Sequence, residues 1–151
     1  MSVNLEQLYS ELCSGNLEAY DFLMQWEGHC HTVDDICDGE ITDSLCIVKG
    51  FVTAQCLILH PFFVKHQARL WPILLLSANA YSDSLLFQNS SEDYKKQIGD
   101  YLRSFSNEML LIVGMLCARD DETAWDKVRK ISPLIRELSY KKHHNENGEP
   151  I

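Results

Sequence analysis

The ionisable side chains between Glu27 and Asp38 have the spacing that best suits chemistry. This segment reads Glu-Gly-His-Cys-His-Thr-Val-Asp-Asp-Ile-Cys-Asp. Residues three and four apart share one face of a helix, and that spacing selects Glu27, His31, Asp34 and Asp38. An apolar stripe of similar period runs beside them, formed by Leu23, Trp26, Cys30, Val33 and Cys37. Charged groups at core-like positions are costly unless they are paired or bind a metal, so the segment predicts a chemical site.

The pattern Asp-Asp-x-x-Asp places the carboxylates of Asp34, Asp35 and Asp38 within about one helical turn. Like charges this close repel each other, and Mg²⁺ or Mn²⁺ would relieve the repulsion because these cations prefer oxygen ligands. Such a metal and its waters would hold a phosphate or diphosphate. We therefore predict the three aspartates as metal ligands. Glu27 is predicted as a further ligand or water-activating base, and His31 as a group that orients water or phosphate.

Zinc and di-iron sites fit the same segment less well. His29 and Cys30 are consecutive and so point to different faces, and no second CxxC or HxxxH cluster completes four zinc ligands. A di-iron bundle needs a Glu-x-x-His pair on each of two helices. Glu27 and His31 are four residues apart and have no such repeat. The predicted cofactor is therefore Mg²⁺ or Mn²⁺.

A site inside a helical bundle also needs groups from a facing helix. Asn79 and Asp83 share a helical face directly after an apolar run, and Lys65 and Arg69 lie one turn apart where they would neutralise a phosphate. We predict these four as substrate-binding residues. The alternative for each is an ordinary solvent-facing or helix-capping side chain.

The distribution of charge along the chain indicates which classes of partner to expect. The 151-residue chain has a formal net charge of −9, and residues 1–48 contain ten acids without any Lys or Arg. Nucleic-acid binding requires a basic footprint, so the acidic N-terminal third argues against it. Divalent cations or a basic protein surface are the expected partners.

The six cysteines form no CxxC pair, and no basic segment followed by an apolar run opens the chain. These features predict reduced thiols in a cytoplasmic protein. The apolar run from Leu45 to Val64 is interrupted by polar residues and Pro61. We therefore expect a core helix there and no membrane contact.

Apolar periodicity, capping residues and turn residues predict an all-α bundle of six to seven helices in a single domain over residues 1–140. The predicted helices span about 3–13, 17–38, 43–60, 61–69, 71–87, 92–118 and 122–139. Asn16 and Thr42 or Asp43 are expected N-caps, and Pro133 is expected to kink or divide the last helix. Residues 141–151 are predicted to be a disordered tail. The abundance of apolar helix surface predicts a homo-oligomer.

The ten residues from Cys30 to Gly39, Cys-His-Thr-Val-Asp-Asp-Ile-Cys-Asp-Gly, resemble the first aspartate-rich motif of isoprenoid synthases, especially the squalene and phytoene synthase branch. That family is all-α, and the resemblance implies that Asp34, Asp35 and Asp38 bind Mg²⁺ ions that hold a prenyl diphosphate. The size and the acidic helix are also similar to all-α nucleoside triphosphate pyrophosphatases, which are small oligomeric proteins with acidic residues around Mg²⁺. Both similarities imply a metal-bound diphosphate.

The sequence therefore predicts divalent-metal-dependent binding or hydrolysis of a phosphorylated small molecule that contains a diphosphate, a nucleotide being one example. The alternative is a non-catalytic acidic helical protein that docks on a basic partner surface. Mg²⁺ would then neither stabilise the fold nor be required for binding.

Overall fold

In a computed structural model of the protein, residues 4–40 and 43–143 are described, and within these ranges all regular structure is helical. The all-α prediction is confirmed. The helices are α1 (Leu5–Leu12), α2 (Leu17–Cys37), α3 (Ser44–Leu59), α4 (Pro61–Gln88), α5 (Asp93–Arg103), α6 (Asn107–Ala118) and α7 (Glu122–His143), with a 3₁₀ turn (Ser104–Ser106) before α6.

The first three helices begin where a side-chain oxygen can accept a hydrogen bond from a free backbone N–H. Asn4 caps α1, Asn16 caps α2 and Asp43 caps α3, each with an oxygen 3.0–3.1 Å from the N–H that it accepts. The predicted caps at Asn16 and Asp43 are confirmed. Gly15 and Gly39 follow α1 and α2 with φ of 80° and 71°, a left-handed conformation that glycine adopts without steric cost.

The predicted division of residues 61–87 into two helices is confirmed as a kink, but its predicted position between residues 69 and 71 is wrong. The backbone of α4 is helical through Pro72, and its one non-helical residue is His66, with φ −117° and ψ 17°. Proline fits the φ of a helix but disturbs the turn that precedes it, so the distortion lies on its N-terminal side.

The predicted continuous helix 92–118 is also wrong, because α5 ends at Arg103 and α6 begins at Asn107. At the break the Ser104 hydroxyl donates to the Tyr101 carbonyl at 2.8 Å, a local bond of the kind that competes with regular helix. Helix α7 runs through Pro133 without dividing and includes residues 141–143, which were predicted as tail. The remainder of that tail, residues 144–151, lies outside the described residues.

The core is built mainly from α1, α2, α6 and α7, with α6 buried along most of its length. Gly114 in α6 allows the close approach of α1, since a Cβ there would lie 2.5 Å from Leu12 Cδ1. The indole N–H of Trp26 donates to the Ser106 carbonyl at 3.1 Å and ties α2 to the turn before α6. These contacts position α2, which carries the acidic stripe.

The expectation of a core helix in the apolar run from Leu45 is wrong, because helix α3 buries a single large apolar side chain, Leu57. Its other large apolar side chains are mostly exposed: Leu45, Ile47, Val48, Phe51, Val52 and Leu59. Among the described helices, none alone has the length and hydropathy to cross a bilayer. Helices α3 and α4 meet those two criteria only as a pair, with a bend of 91° between them.

Candidate functional site

A cavity of about 590 Å³ lies among α2, α3, α4 and α6, and residues of α1 and α7 also line it. This volume is in the range of small-molecule sites. Much of the wall is aromatic or aliphatic, including Tyr9, Trp26, Phe51, Trp71, Leu74 and Leu110. The cavity therefore offers a mainly apolar surface to the apolar part of a ligand.

The α2 stripe supplies the charged wall of this cavity. Glu27, His31 and Asp34 all line it, so the predicted helical face is the one that faces the cavity. The Glu27 carboxylate lies 3.5 Å from the His31 ring. From α4, the Tyr81 hydroxyl donates to Asp34 Oδ1 at 2.7 Å. A carboxylate, an imidazole and a phenol are thus gathered at one end of an apolar space.

Arg103, at the end of α5, neutralises part of this wall. Its Nε and Nη2 donate to Asp34 Oδ1 at 3.2 and 2.5 Å, its Nη2 also donates to Asp38 Oδ2 at 2.8 Å, and its Nη1 donates to Gln88 at 3.1 Å. Burial alone would lower the pKa of Arg103, but its hydrogen bonds and attraction to Asp34 and Asp38 raise the pKa above the ordinary value. The guanidinium stays charged and joins α5 to α2.

The arrangement does not supply the predicted metal site as it stands. Within residues 4–40 and 43–143, no group of three His, Cys, Asp or Glu side chains is placed to hold a metal ion. Asp34 and Asp38 share the Arg103 guanidinium, and Asp35 is not part of the cavity wall. Arg103 would have to leave these carboxylates before Mg²⁺ or Mn²⁺ bound them. The metal requirement therefore stays a prediction.

Two buried polar atoms in the cavity wall lack a hydrogen-bond partner among the described residues. They are Ser77 Oγ on α4 and Asn107 Nδ2 on α6, and their residues are 6% and 8% exposed. An unsatisfied buried donor or acceptor costs roughly 1–3 kcal/mol. A hydroxyl and an amide in a wall that is partly apolar are the kind of groups that orient a bound molecule.

Burial and nearby carboxylates raise the pKa values of three groups in the cavity wall, Cys30, Tyr9 and Tyr81. Burial raises the pKa of the Cys30 thiol to about 12, and the charges of Glu27 and Asp34 add to the effect. Burial and then the charge and hydrogen bond of Glu27 raise the pKa of Tyr9. Burial and the hydrogen bond to Asp34 likewise raise the pKa of Tyr81. These groups stay protonated at neutral pH, so Cys30 is not an activated nucleophile.

The four predicted substrate-binding residues do not line this cavity. Asn79 Nδ2 is 3.5 Å from Asp83 Oδ2, and neither residue lines the cavity. Tyr81 lies between them in sequence and about 200° from each around the helix, and it is Tyr81 that reaches Asp34. Lys65 and Arg69 line a separate cavity nearer the start of α4. The predicted segment is thus next to the site, but through the opposite helical face.

Comparisons of the chain with protein-family models, with curated proteins and with solved structures find no match.

Proposed function

We propose that the protein binds a diphosphate-containing small molecule in the cavity beside α2, and that the diphosphate is attached to a nucleoside. The observation that supports this most directly is the pair of partnerless polar atoms, Ser77 Oγ and Asn107 Nδ2, in an otherwise mainly apolar wall. A pure hydrocarbon would leave both atoms unpaired at roughly 1–3 kcal/mol each. A nucleobase or sugar has hydrogen-bonding groups that would pair with them once the two buried side chains turn toward the cavity.

The aromatic side chains of the wall suit the same ligand class. Trp26, Phe51 and Trp71 all line the cavity, and aromatic side chains stack on bases with a gain of about 1–3 kcal/mol per base. We therefore place the nucleoside of the ligand in the apolar part of the cavity. We place the diphosphate at the end where Arg103 and the α2 carboxylates lie.

The charges at that end lead us to propose that the diphosphate binds together with a divalent metal ion. Glu27, Asp34 and Asp38 carry three negative charges, and Arg103 carries one positive charge. A bare diphosphate would be repelled by this excess, whereas a diphosphate accompanied by Mg²⁺ or Mn²⁺ would not. The Arg103 Nε–H and Nη2 protons donate to Asp34 and Asp38 and one Nη1 proton donates to Gln88, so in the contacts of the described residues one Nη1–H is left to donate to a phosphate oxygen.

Hydrolysis is a second step that this proposal does not require. Glu27 and His31 are the residues on the wall that would accept or move a proton from water. Their role is measured by phosphate release in the presence of Mg²⁺. Binding without release identifies a binding protein with the same site.

The test is isothermal titration with ADP and MgCl₂, on wild type and on two tryptophan variants of α4. Ala78→Trp places a large ring in the cavity wall at an exposed position. Leu86→Trp is the matched control, because Leu86 is 73% exposed on the same helix and does not line the cavity. EDTA in place of MgCl₂ measures the metal requirement, and farnesyl diphosphate replaces ADP to compare ligand bodies.

The proposal predicts Mg²⁺-dependent binding of ADP to wild type and Leu86→Trp, and a loss of at least tenfold in Ala78→Trp. Tighter binding of farnesyl diphosphate than of ADP would overturn the nucleoside assignment. If neither diphosphate binds under any condition, the small-molecule proposal fails, and the acidic interaction protein becomes the better explanation.

A further inference from the structure

A second cavity, of about 310 Å³, lies where the first turns of α4 meet the turn between α6 and α7. Its wall consists of Lys65, His66, Ala68, Arg69, Leu116 and Arg119. Three of these six residues are cations, in a chain with a formal net charge of −9. At about 30 Å³ of liquid volume per water, it has room for a tetrahedral oxyanion and several waters.

The positive charge in this cavity is only partly compensated. Lys65 Nζ lies 2.7 Å from Glu18 Oε1. Among the residues that the structure describes, no carboxylate forms an ion pair with Arg69 or Arg119. Two guanidinium groups that line one cavity without acids repel each other. An oxyanion between them would turn this repulsion into attraction.

The backbone holds Arg119 at this place in an unfavourable conformation. Its φ of 48° and ψ of −120° lie in a region that only glycine adopts readily. The Arg119 N–H donates to the Met115 carbonyl at 3.2 Å, and the Trp125 indole donates to the Arg119 carbonyl at 2.5 Å. Glycine would relieve the strain here, whereas arginine adds a cation to the cavity.

His66 is the fourth polar group of the wall and lies at the irregular turn of α4. Burial lowers the pKa of His66, and the charges of Arg119, Arg69 and Lys65 lower it further, against a smaller opposite effect of Glu18. The imidazole is therefore neutral at pH 7 and offers one N–H donor.

We infer that the cavity formed by Lys65, Arg69 and Arg119 is a binding site for a phosphate-class oxyanion, separate from the cavity beside α2. The two guanidinium groups supply paired N–H donors of the geometry that phosphate oxygens accept. Lys65 supplies a further positive charge, and Glu18 limits that charge. The bound group is free phosphate or the phosphate of a monoester, which present the same oxygens.

The experiment is titration of the full chain with inorganic phosphate and with glycerol 3-phosphate at constant ionic strength. Arg69→Gln and Arg119→Gly each remove one cation from the cavity, and Arg119→Gly also relieves the backbone strain, so it keeps the fold. Arg129→Gln is the control, because Arg129 is 79% exposed and lies 3.9 Å from Asp126, away from this cavity. The imidazole resonances of His66 give a second readout, since a bound anion raises the pKa of His66.

We expect both cavity variants to lose at least tenfold in phosphate affinity, with the control within twofold of wild type. The pKa of His66 should rise when phosphate is added to wild type. Preference for phosphate or for glycerol 3-phosphate identifies the source of the anion, and binding of either supports the site. Equal affinity in all four proteins, or no binding to wild type at millimolar concentration, would overturn the inference.

Discussion

Replacing Arg103 with methionine removes the cation that Asp34 and Asp38 share while keeping a long apolar side chain. The substitution deletes three hydrogen bonds to these carboxylates and one to Gln88. The Arg103 and Asp34 side chains are 23% and 27% exposed, so their charge-assisted bonds are worth roughly 1–2 kcal/mol. Asp38 is 39% exposed, and solvent screening reduces its part to about 0.5 kcal/mol or less.

Asp34 and Asp38 are four residues apart on α2, and without Arg103 their repulsion destabilises the fold by roughly a further 0.2–0.5 kcal/mol. The free energy of unfolding should therefore fall by roughly 1.5–3 kcal/mol, which corresponds to a melting midpoint lower by about 3–12 °C. Urea unfolding at pH 7 and 0.1 M salt measures the free energy directly. The matched control is Arg129→Met, since the exposed pair of Arg129 with Asp126 should change stability by about 0.5 kcal/mol or less.

The Arg103→Met variant also tests the predicted metal site. With Arg103 gone, Asp34 and Asp38 lose the cation that they share, while Asp34 keeps the hydrogen bond from Tyr81. Millimolar Mg²⁺ should then stabilise Arg103→Met more than wild type, and Asp34→Asn should abolish this gain. A variant as stable as wild type would refute the role assigned to Arg103. A destabilised variant that ignores Mg²⁺ would refute the metal prediction alone.

Three further predictions concern packing, pH and association. Gly114→Ala should destabilise by roughly 1–3 kcal/mol because its Cβ would meet Leu12, whereas Gly28→Ala, with open space around it, should stabilise by up to about 1 kcal/mol; urea unfolding that ranks the two variants the other way would contradict the helix contact. Burial lowers the pKa of His29, so its stabilising contribution is present above the unfolded pKa of about 6.5 and is lost as pH falls. Unfolding at pH 7.5 and 5.5 should show a smaller loss for His29→Asn than for wild type, and equal losses would disprove this linkage. The exposed apolar face of α3 predicts self-association, so Val52→Asp should lower the mass measured by sedimentation equilibrium; a monomeric wild type would contradict that prediction.

Local signals were sufficient for most of the fold. The apolar period of 3.6 residues locates the helices, and Asn16 and Asp43 are capping residues whose chemistry acts on the next few N–H groups. The break at residues 104–106 was missed, and the kink in α4 was predicted after residue 69 instead of at His66, because both positions depend on how the helices pack against each other. Proline and serine mark such positions only approximately.

The candidate site was predictable on one helix and not across helices. Glu27, His31 and Asp34 face one cavity because helical geometry alone places them together. Arg103 is 69 residues from Asp34 in sequence, and no local pattern indicates that contact. Ser77 and Asn107 occur in sequence contexts typical of ordinary packed helices. Their importance depends on the cavity that they line, which exists only after the helices pack.

Thermal melting is the most direct test of whether the cavity beside α2 binds a diphosphate together with a divalent metal ion. Wild type and Asp34→Asn are melted with EDTA, with MgCl₂, with ADP, and with MgCl₂ and ADP together. A ligand that binds only the native state adds about 2.7 kcal/mol at one hundred times its dissociation constant, which is a rise of about 5–11 °C in the midpoint. The account predicts this rise for wild type with Mg²⁺ and ADP together, and a much smaller one for Asp34→Asn. No rise in wild type, or an equal rise in both proteins, would contradict it.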